Sequence, residues 1–392
     1  MNCRVWDGFI PKRRVAGVIL ICVVAVAAAA ALVGCNTSAT SAEADVPMEQ
    51  VAVGVIDTTS TQEQSRIIFY GESLEELGEL PLARASMGDS RCDACVYGGA
   101  LYVTPLGTDK FEFGPTDEVL EISLADLSVR PFKMGVERMR LDRLAVNDRY
   151  VFASSWSLPG SPLLRCDKQT GEVTQKALPE GSVTQLLWSG GSLFAFMTDE
   201  GIPDDPSAEN VPSSRVLQLD EELNTVREFD LTLYGASVYR AIADGDTLYA
   251  VCSAPPASAQ GAEGEGSFDA SNIVVLNART GEVAPSSLPI KDALGVTVHD
   301  GRLYIMRQPA AGAAGHAVLS VADRDGGNLE SYELDRAANQ MVVCGDRLYV
   351  ADVEGRAVYS YDDATLESAD RATVGAAGDT HTYLTNLFAV GK

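Results

Sequence analysis

The chain has 392 residues, with 30 Lys and Arg against 55 Asp and Glu, and its formal net charge is −25. An apolar fraction of 46% with 22% charged residues is typical of a folded protein and excludes general disorder. The negative charge argues against a nucleic-acid partner, because phosphate binding needs a basic surface. The three histidines are far apart in the sequence, which argues against a histidine-rich metal centre.

The first 34 residues are predicted to be an export signal. A basic cluster at residues 12–14 precedes an apolar run from residue 15 to residue 33, which ends in LVGC at residues 32–35. A small residue before cysteine at this place resembles the lipobox of bacterial lipoproteins. The resemblance implies cleavage after Gly34, diacylation of Cys35 and a lipid anchor in the outer face of the cell membrane. The alternatives are an uncleaved membrane-spanning helix and a plain secretory signal.

A polar segment separates this signal from the folded domain. Residues 36–50 are mostly small and polar and show no periodicity, which is typical of a linker. We therefore expect a signal peptide over residues 1–34, a lipidated tether over residues 35–50 and one folded domain over residues 51–392. Loss of the basic signal leaves a still more acidic chain, which an anionic membrane surface would repel.

One pattern repeats through the domain: an apolar strand, a tight polar turn, and a second strand that opens with Leu-Tyr or a close variant. The copies are residues 95–105, 144–154, 186–196, 241–251, 296–306 and 341–351. The turns favour residues that tolerate positive φ, as two-residue hairpins require. They are placed at Gly98-Gly99, Asn147-Asp148, Gly190-Gly191, Asp300-Gly301 and Gly345-Asp346.

A second hairpin follows each copy. The clearest examples are residues 163–178, 215–231, 272–288 and 357–374. Four short antiparallel strands per unit, with a period of roughly 43–55 residues, are typical of the blades of a β-propeller. Six complete units fit between residues 91 and 374.

The two ends of the domain predict one more blade. Residues 51–80 contain a strand and a hairpin, and residues 380–390 supply one or two inner strands. Together they would close the ring without a free sheet edge. The expected fold is all-β: a single propeller with seven blades of four antiparallel strands. Six or eight blades stay open as alternatives, because residues 197–214 have room for another strand.

The units resemble the repeats of extracytoplasmic propellers of the YVTN and PQQ-like (quinoprotein-like) kinds. Residues 348–375 have the character of the first kind. DKQTGEV at residues 167–173 and NARTGEV at residues 277–283 match the Asp-x-x-Thr-Gly turn of the second, without the tryptophan that normally follows. These motifs concern turns and packing, and a fold alone assigns no function.

Five cysteines remain after the predicted signal and anchor: Cys92, Cys95, Cys166, Cys252 and Cys344. An exported domain favours disulfides, but an odd number leaves at least one free thiol. The C-x-x-C pair leads into a strand rather than a helix, which favours a structural role over redox or metal chemistry. That role is a local disulfide or two buried thiols. The other three cysteines are interpreted as small core residues.

Two acidic loops raise the question of calcium. DRDGGN at residues 323–328 begins like a calcium loop but has glycine at its fifth position, which favours a hairpin turn. DEGIPDDPSAEN at residues 199–210 either chelates a cation or forms a solvated insertion, and we expect the insertion. No cofactor is predicted, and calcium stays open as the alternative.

When the units are aligned on their hairpin turns, one column at the start of the innermost strand is mostly polar. The column consists of Asp93, Asp142, Gln185, Arg240, Gly295 and Gln340. Innermost strands line the central channel, so we expect this column, called the channel-mouth ring below, to surround one mouth. Its polar groups either bind a small ligand or ion, or bind water and one another.

The expected function is that of a non-catalytic lipoprotein that binds a protein, peptide or glycan at the cell envelope. No Gly-x-Ser-x-Gly elbow occurs, and the three histidines fall in different repeats. The alternative is an extracytoplasmic propeller enzyme (a hydrolase, lyase or oxidoreductase) with its site at the channel mouth. A third hypothesis, a subunit of an envelope complex, predicts a contiguous apolar patch on one rim.

Overall fold

The computed structural model describes residues 46–88, 94–107, 116–136, 140–141, 143–155, 160, 162–179, 181–199, 213–234, 236–254, 271–307, 315–377 and 381–391. The chain divides into a first unit, residues 1–40, which lies outside these ranges, and a second unit, residues 41–392. Within the described ranges, 28 strands form seven four-stranded antiparallel sheets. These sheets are the blades of a β-propeller, so the predicted fold class is confirmed.

Helix is almost absent from the described part of the chain. It is confined there to one turn of 3-10 helix at Met48–Gln50. The described residues accordingly include no helix that is long and apolar enough to cross a membrane. The apolar run at residues 15–33 lies outside them.

Blades 1 to 6 follow the chain, and each is built from four consecutive strands. Blade 1 contains β4 (Cys95–Tyr97), β5 (Ala100–Val103), β6 (Glu118–Ser123) and β7 (Val129–Lys133). Blade 2 contains β8 (Arg143–Val146), β9 (Tyr150–Ser154), β10 (Leu163–Asp167) and β11 (Val173–Lys176). Blade 3 contains β12 (Ser182–Ser189), β13 (Ser192–Asp199), β14 (Ser213–Leu219) and β15 (Thr225–Asp230).

The same order continues in the next three blades. Blade 4 contains β16 (Ala236–Asp244), β17 (Thr247–Ala254), β18 (Ile273–Asn277) and β19 (Val283–Pro285). Blade 5 contains β20 (Ala293–His299), β21 (Arg302–Arg307), β22 (Val318–Asp323) and β23 (Glu330–Glu333). Blade 6 contains β24 (Gln340–Cys344), β25 (Arg347–Asp352), β26 (Ala357–Asp362) and β27 (Ser368–Thr373). First strands of neighbouring blades contact one another, so they are the innermost strands of the ring.

Blade 7 closes the ring with strands from both ends of the domain. Its order is β28 (Thr382–Ala389), β1 (Val53–Thr59), β2 (Ser65–Tyr70) and β3 (Glu76–Leu82). The strand β1 pairs with β28 on one side and with β2 on the other. The predicted closure is therefore confirmed, with one inner strand from the C-terminal segment.

The Leu-Tyr motif builds the core between the blades. Successive side chains of a strand point to opposite faces of the sheet. Leu101 accordingly packs in the cluster shared with blade 7, and Tyr102 packs in the cluster shared with blade 2. The aromatic position recurs in blades 1 to 6, and each of its side chains is at most 5% exposed: Tyr102, Phe152, Phe194, Tyr249, Tyr304 and Tyr349.

The strand ends define two different faces. At the first, called the turn face, short hairpins join the first strand of a blade to the second and the third to the fourth. At the second, called the connection face, the chain passes from the second strand to the third and from one blade to the next. In blades 1 to 5 the second-to-third connections are residues 104–117, 155–162, 200–212, 255–272 and 308–317. Blades 6 and 7 have only residues 353–356 and 60–64 there.

The Asp-x-x-Thr-Gly motif forms third-to-fourth-strand turns on the turn face. The Oδ1 of Asp167 accepts hydrogen bonds from the backbone N–H groups of Gln169 (2.9 Å) and Thr170 (3.0 Å). Asn277 and Asp362 accept the equivalent pair of bonds in blades 4 and 6. The side-chain oxygen of the motif thus accepts hydrogen bonds from backbone N–H groups that would otherwise lack a partner in a tight turn.

We expect acid to weaken these turns. Hydrogen bonds from backbone N–H groups hold the pKa of Asp167 and Asp362 below the ordinary value. Their ionised forms therefore stabilise the fold above about pH 4, the pKa of an unfolded Asp, and this contribution is lost as the pH falls through the lower pKa of the folded state.

A double variant, Asp167→Asn with Asp362→Asn, keeps the acceptor oxygen, as Asn277 does in blade 4. The amide groups of this variant do not titrate, so its turns do not depend on pH in this way. The measurement is the urea midpoint at neutral pH and at about pH 3. On acidification, the urea midpoint of the variant should fall less than that of the wild type. An equal fall would contradict this account of the turns.

Side chains of the preceding blade also hold the third-to-fourth-strand turns. The Oη of Tyr304 in blade 5 donates to Asp363 Oδ2 at 3.4 Å, and the Oη of Tyr349 in blade 6 donates to the Glu72 carbonyl at 3.1 Å. Further contacts of this kind among the described residues include Tyr102–Lys168, Arg165–Glu221, Arg227–Arg279 and Asp244–Arg324. The turns of this face therefore help to join neighbouring blades.

Candidate functional site

The structure aligns four predicted ring residues in consecutive blades. In blades 3, 4 and 5 the pairing between first and second strands shifts directly before Gln185, Arg240 and Gly295. Gln340 opens β24 at the same distance from its hairpin turn. A bulge bends and twists a strand, and here each bulge lies in the half of its innermost strand that is nearer to the connection face. The predicted column is therefore aligned in these four blades, and its place at a channel mouth stays a prediction.

Two predicted ring residues, Asp93 and Asp142, lie outside the described residues. In blade 2 the equivalent position is held by Arg143, the first residue of β8, which is 3% exposed. Arg143 takes the place predicted for Asp142 because the hairpin turn of blade 2 lies one residue later than predicted. The described part of the ring thus carries two arginines and two glutamines.

Strand pairing shows this shift directly. Val146 pairs with Val151, and the backbone N–H of Asn147 donates to the Tyr150 carbonyl at 3.0 Å. The two turn residues are consequently Asp148 and Arg149, and the predicted turn at Asn147-Asp148 is wrong by one position. Sequence alignment on the turn therefore missed Arg143.

Ring side chains reach toward the next blade. Gln340 is 5% exposed, and its Oε1 accepts a hydrogen bond from the backbone N–H of Leu387 in blade 7 at 2.7 Å. The side chain of Arg240 lies against Gly295, where a Cβ atom would approach Arg240 Cδ to 3.5 Å. Polar contact between blades is thus visible at Gln340. The ligand-binding role of the ring stays a prediction.

A buried ion cluster lies near the connection face where blades 6 and 7 meet. Asp57 is fully buried, and its carboxylate is 3.1 Å from Arg66 Nη2 and 2.7 Å from Arg356 Nη2. Both arginines also donate to the Gly375 carbonyl, at 2.7 and 2.8 Å. Arg356 has a positive φ of 48°, an unfavourable conformation for this residue that the cluster holds in place. This cluster, called the closure latch below, ties the closing blade to its neighbour.

The described cysteines Cys95, Cys166, Cys252 and Cys344 carry free thiols. Cys166 and Cys252 are buried core residues, as the sequence predicted, while Cys344 is partly exposed. Burial raises the pKa of Cys252 to about 12 and that of Cys95 to about 11. Cys92 lies outside the described residues, so the role of the C-x-x-C pair stays a prediction.

We expect the thiols of Cys95 and Cys252 to react slowly in the folded protein. The thiolate is the reactive species, so a rise in thiol pKa from 9 to about 11 reduces its amount at pH 8 about a hundredfold. The measurement is the rate of labelling with a chromogenic disulfide, with and without urea. Labelling should be fast only after unfolding. Rapid labelling of Cys95 or Cys252 in the folded chain would contradict the described environment.

One of the two acidic loops lies within the described residues. Residues 324–329 form the turn between β22 and β23, and the carboxylates of Asp323 and Asp325 accept hydrogen bonds inside that turn. The predicted hairpin is thus confirmed, whereas residues 200–212 lie outside the described part. Among described residues, no group of three or more His, Cys, Asp or Glu side chains could hold a metal ion.

The three histidines occupy separate places. His299 ends β20 at the turn face, 3.8 Å from Asp300, whereas His316 precedes β22 at the other end of the same blade, 3.4 Å from Glu333. His381 precedes β28 in blade 7. The fold therefore does not bring these side chains together.

Comparisons with known proteins support the fold. No protein-family model and no curated protein sequence matches the chain. A functionally unknown protein of Desulfotomaculum acetoxidans is similar in structure, with a TM-score of 0.55, 12% identity, and coverage of 86% of this chain and 99% of that one. Hydrazine synthase of Kuenenia stuttgartiensis has a TM-score of 0.51 and 12% identity, with 75% and 89% covered.

A dihydro-heme d1 dehydrogenase, NirN, in complex with DHE has a TM-score of 0.50 and 12% identity, with 87% of this chain and 76% of that one covered. At such identities, the likeness concerns the propeller alone. Propellers of this shape occur in enzymes and in proteins of unknown function, so the function has to be argued from this chain's own surface.

Proposed function

We propose that the protein is a lipid-anchored propeller on the outer face of the cell membrane, which binds a protein, peptide or glycan through its connection face. The observation that carries this proposal is the difference between the two faces. One face consists of short hairpins tied to neighbouring blades. The other face receives the five long connections of blades 1 to 5 and the channel-mouth ring.

Surface segments held by a rigid scaffold are the usual carriers of binding function. On the turn face, the surface consists of tight hairpins, which leave little chain from which to form a binding site. On the connection face, the length of the second-to-third connection varies widely between blades, while every blade keeps the same four-stranded sheet. This combination favours the connection face as the ligand surface.

The anchor is argued from the sequence. The LVGC run at residues 32–35 resembles a lipobox, and the repeats resemble those of extracytoplasmic YVTN and PQQ-like propellers. Two acyl chains hold a protein on a membrane, where one would be marginal. Diacylation of Cys35 would keep the propeller at the cell surface without any contact between its blades and lipid.

Mass spectrometry of the N-terminal peptide, with the chain purified from its own cells, tests the anchor. The expected product begins at a diacylated Cys35 and fractionates with membranes. A Cys35→Ser variant should leave the membrane or retain its uncleaved signal. An intact, unmodified N-terminus in the wild-type chain would overturn the anchor.

Crosslinking in those cells tests the binding surface. The double variant Gln185→Ala with Arg240→Ala removes two polar groups of the channel-mouth ring, whereas Arg279→Ala removes an exposed charge from the turn face. A stoichiometric partner should be retained by the Arg279 variant and lost by the ring variant. Near-ultraviolet circular dichroism checks that both variants fold. Loss of the partner in the Arg279 variant alone would place the binding site on the turn face and contradict the proposal.

A further inference from the structure

We infer that the turn face lies toward the bilayer and that the connection face points away from it. This inference rests on the lipid anchor at Cys35 proposed above. It adds an orientation, and thereby assigns the partner's direction of approach. Two features of the chain support it: the point where the N-terminal segment enters the propeller and the reach of the tether.

The N-terminal segment enters the propeller at the turn face. The strand β1 is the second strand of blade 7, and second strands begin at that face. Val46 and Met48 pack against the core cluster that contains Leu80 of β3. A Cβ atom at Gly78, near the turn-face end of β3, would lie 2.8 Å from Val46 Cγ2. The chain is thus fastened beside the turn face before it reaches β1.

The reach of the tether limits how the propeller can sit. The chain between Cys35 and Val46 spans at most about 40 Å, because an extended residue covers no more than about 3.6 Å. The two faces are about 26 Å apart, the length of an inner strand such as β12 with its eight residues at about 3.3 Å each. If the connection face pointed to the bilayer, the tether would have to run along the full depth of a blade, and most of its length would be needed for that.

The turn face does not need to adhere to the bilayer. Every third-to-fourth-strand turn carries at least one carboxylate. The basic residues of the hairpin segments on this face are Arg149, Lys168, Arg279 and Arg324. An anionic lipid surface repels such a face, although salt at physiological strength screens the repulsion beyond about 8 Å. The tether alone therefore keeps the turn face near the membrane.

The consequence concerns the partner. A ligand surface that points away from the bilayer is open to a protein, peptide or glycan that arrives from outside the cell membrane. Lipid headgroups are not expected to bind this surface, because it points away from them. The entry of the N-terminal segment at the turn face and the short tether together leave the connection face as the surface that a partner meets first.

Blade 6 offers a matched pair of reporter positions. Glu354 lies in the connection between β25 and β26, and Ala364 lies in the turn between β26 and β27. Both residues are exposed, at opposite ends of β26. The full acylated chain, carrying Glu354→Cys or Ala364→Cys with a thiol-linked donor dye, is reconstituted in vesicles with an acceptor dye on the lipid headgroups. Wild-type protein, labelled in parallel, corrects for native thiols.

Energy transfer is expected to be at least twofold greater from position 364 than from position 354. Equal or reversed transfer from protein that floats with the vesicles would overturn the orientation and leave the anchor intact. Failure of the wild-type chain to float would overturn the anchor itself, and the orientation with it. The same two variants produced without residues 1–35, and added to the same vesicles, should show no transfer, because the turn face does not adhere to lipid. Transfer from these forms would show adhesion in place of tethering.

Discussion

Replacing Asp57 by alanine is expected to lower the free energy of unfolding by about 3 kcal/mol. The carboxylate is fully buried in the closure latch, and its loss leaves two arginines without their shared buried partner. Breaking a buried ion pair by removing one member typically costs about 3–5 kcal/mol. Partial exposure of Arg66 and Arg356 places the expected value at the lower end of that range.

The matched control is Glu79→Ala. Glu79 lies 2.6 Å from Arg66 Nη1, but its side chain is 43% exposed, so its loss should cost less than about 1 kcal/mol. Urea unfolding of the propeller without its anchor measures both variants. Comparable midpoints for Asp57→Ala and Glu79→Ala would show that the closure latch does not hold the ring together.

Replacing Gly54 by valine should lower the free energy of unfolding by about 3 kcal/mol. Gly54 in β1 pairs with Phe388 in β28, and the phenyl ring covers it. A Cβ atom at Gly54 would lie 2.3 Å from Phe388 Cζ, so the ring has to move out of a packed core. Overpacking of this kind costs about 1–3 kcal/mol, and valine adds three carbon atoms at the closing strand pair.

Two further variants test the cause of that loss. Gly375→Ala meets no atom within 4 Å and should change stability by less than about 0.5 kcal/mol. Adding Phe388→Ala to Gly54→Val should cost less than the sum of the two single losses, because the valine then enters the vacated space. Strict additivity would show that the ring and the glycine do not share the space described.

The fold was predictable because each level of the pattern has a local cause. Alternation in the Leu-Tyr strands matches a sheet packed on both faces, and residues such as Gly190 and Gly191 supply the positive φ of the hairpins. The split blade followed from the unpaired strands at the two ends of the domain. Val46 and Met48, within the predicted tether, pack against the core of the propeller.

The site was less predictable, for two physical reasons. In blade 2 the Oδ1 of Asn147 accepts bonds from the backbone N–H groups of Arg149 and Tyr150, so Asn147 precedes the turn instead of forming it. Alignment on the buried aromatic position, Phe152, would have placed Arg143 in the ring. The closure latch joins Asp57 to a residue 299 positions later, a distance at which no local pattern reports a contact.

The central claim is that the connection face binds the partner. A photoreactive benzophenone side chain at position 354 or at position 364, in the full chain in its own cells, tests it most directly. Illumination should give one discrete adduct from position 354, on the connection face, and none from position 364, on the turn face. An adduct from position 364 without one from position 354 would contradict the account.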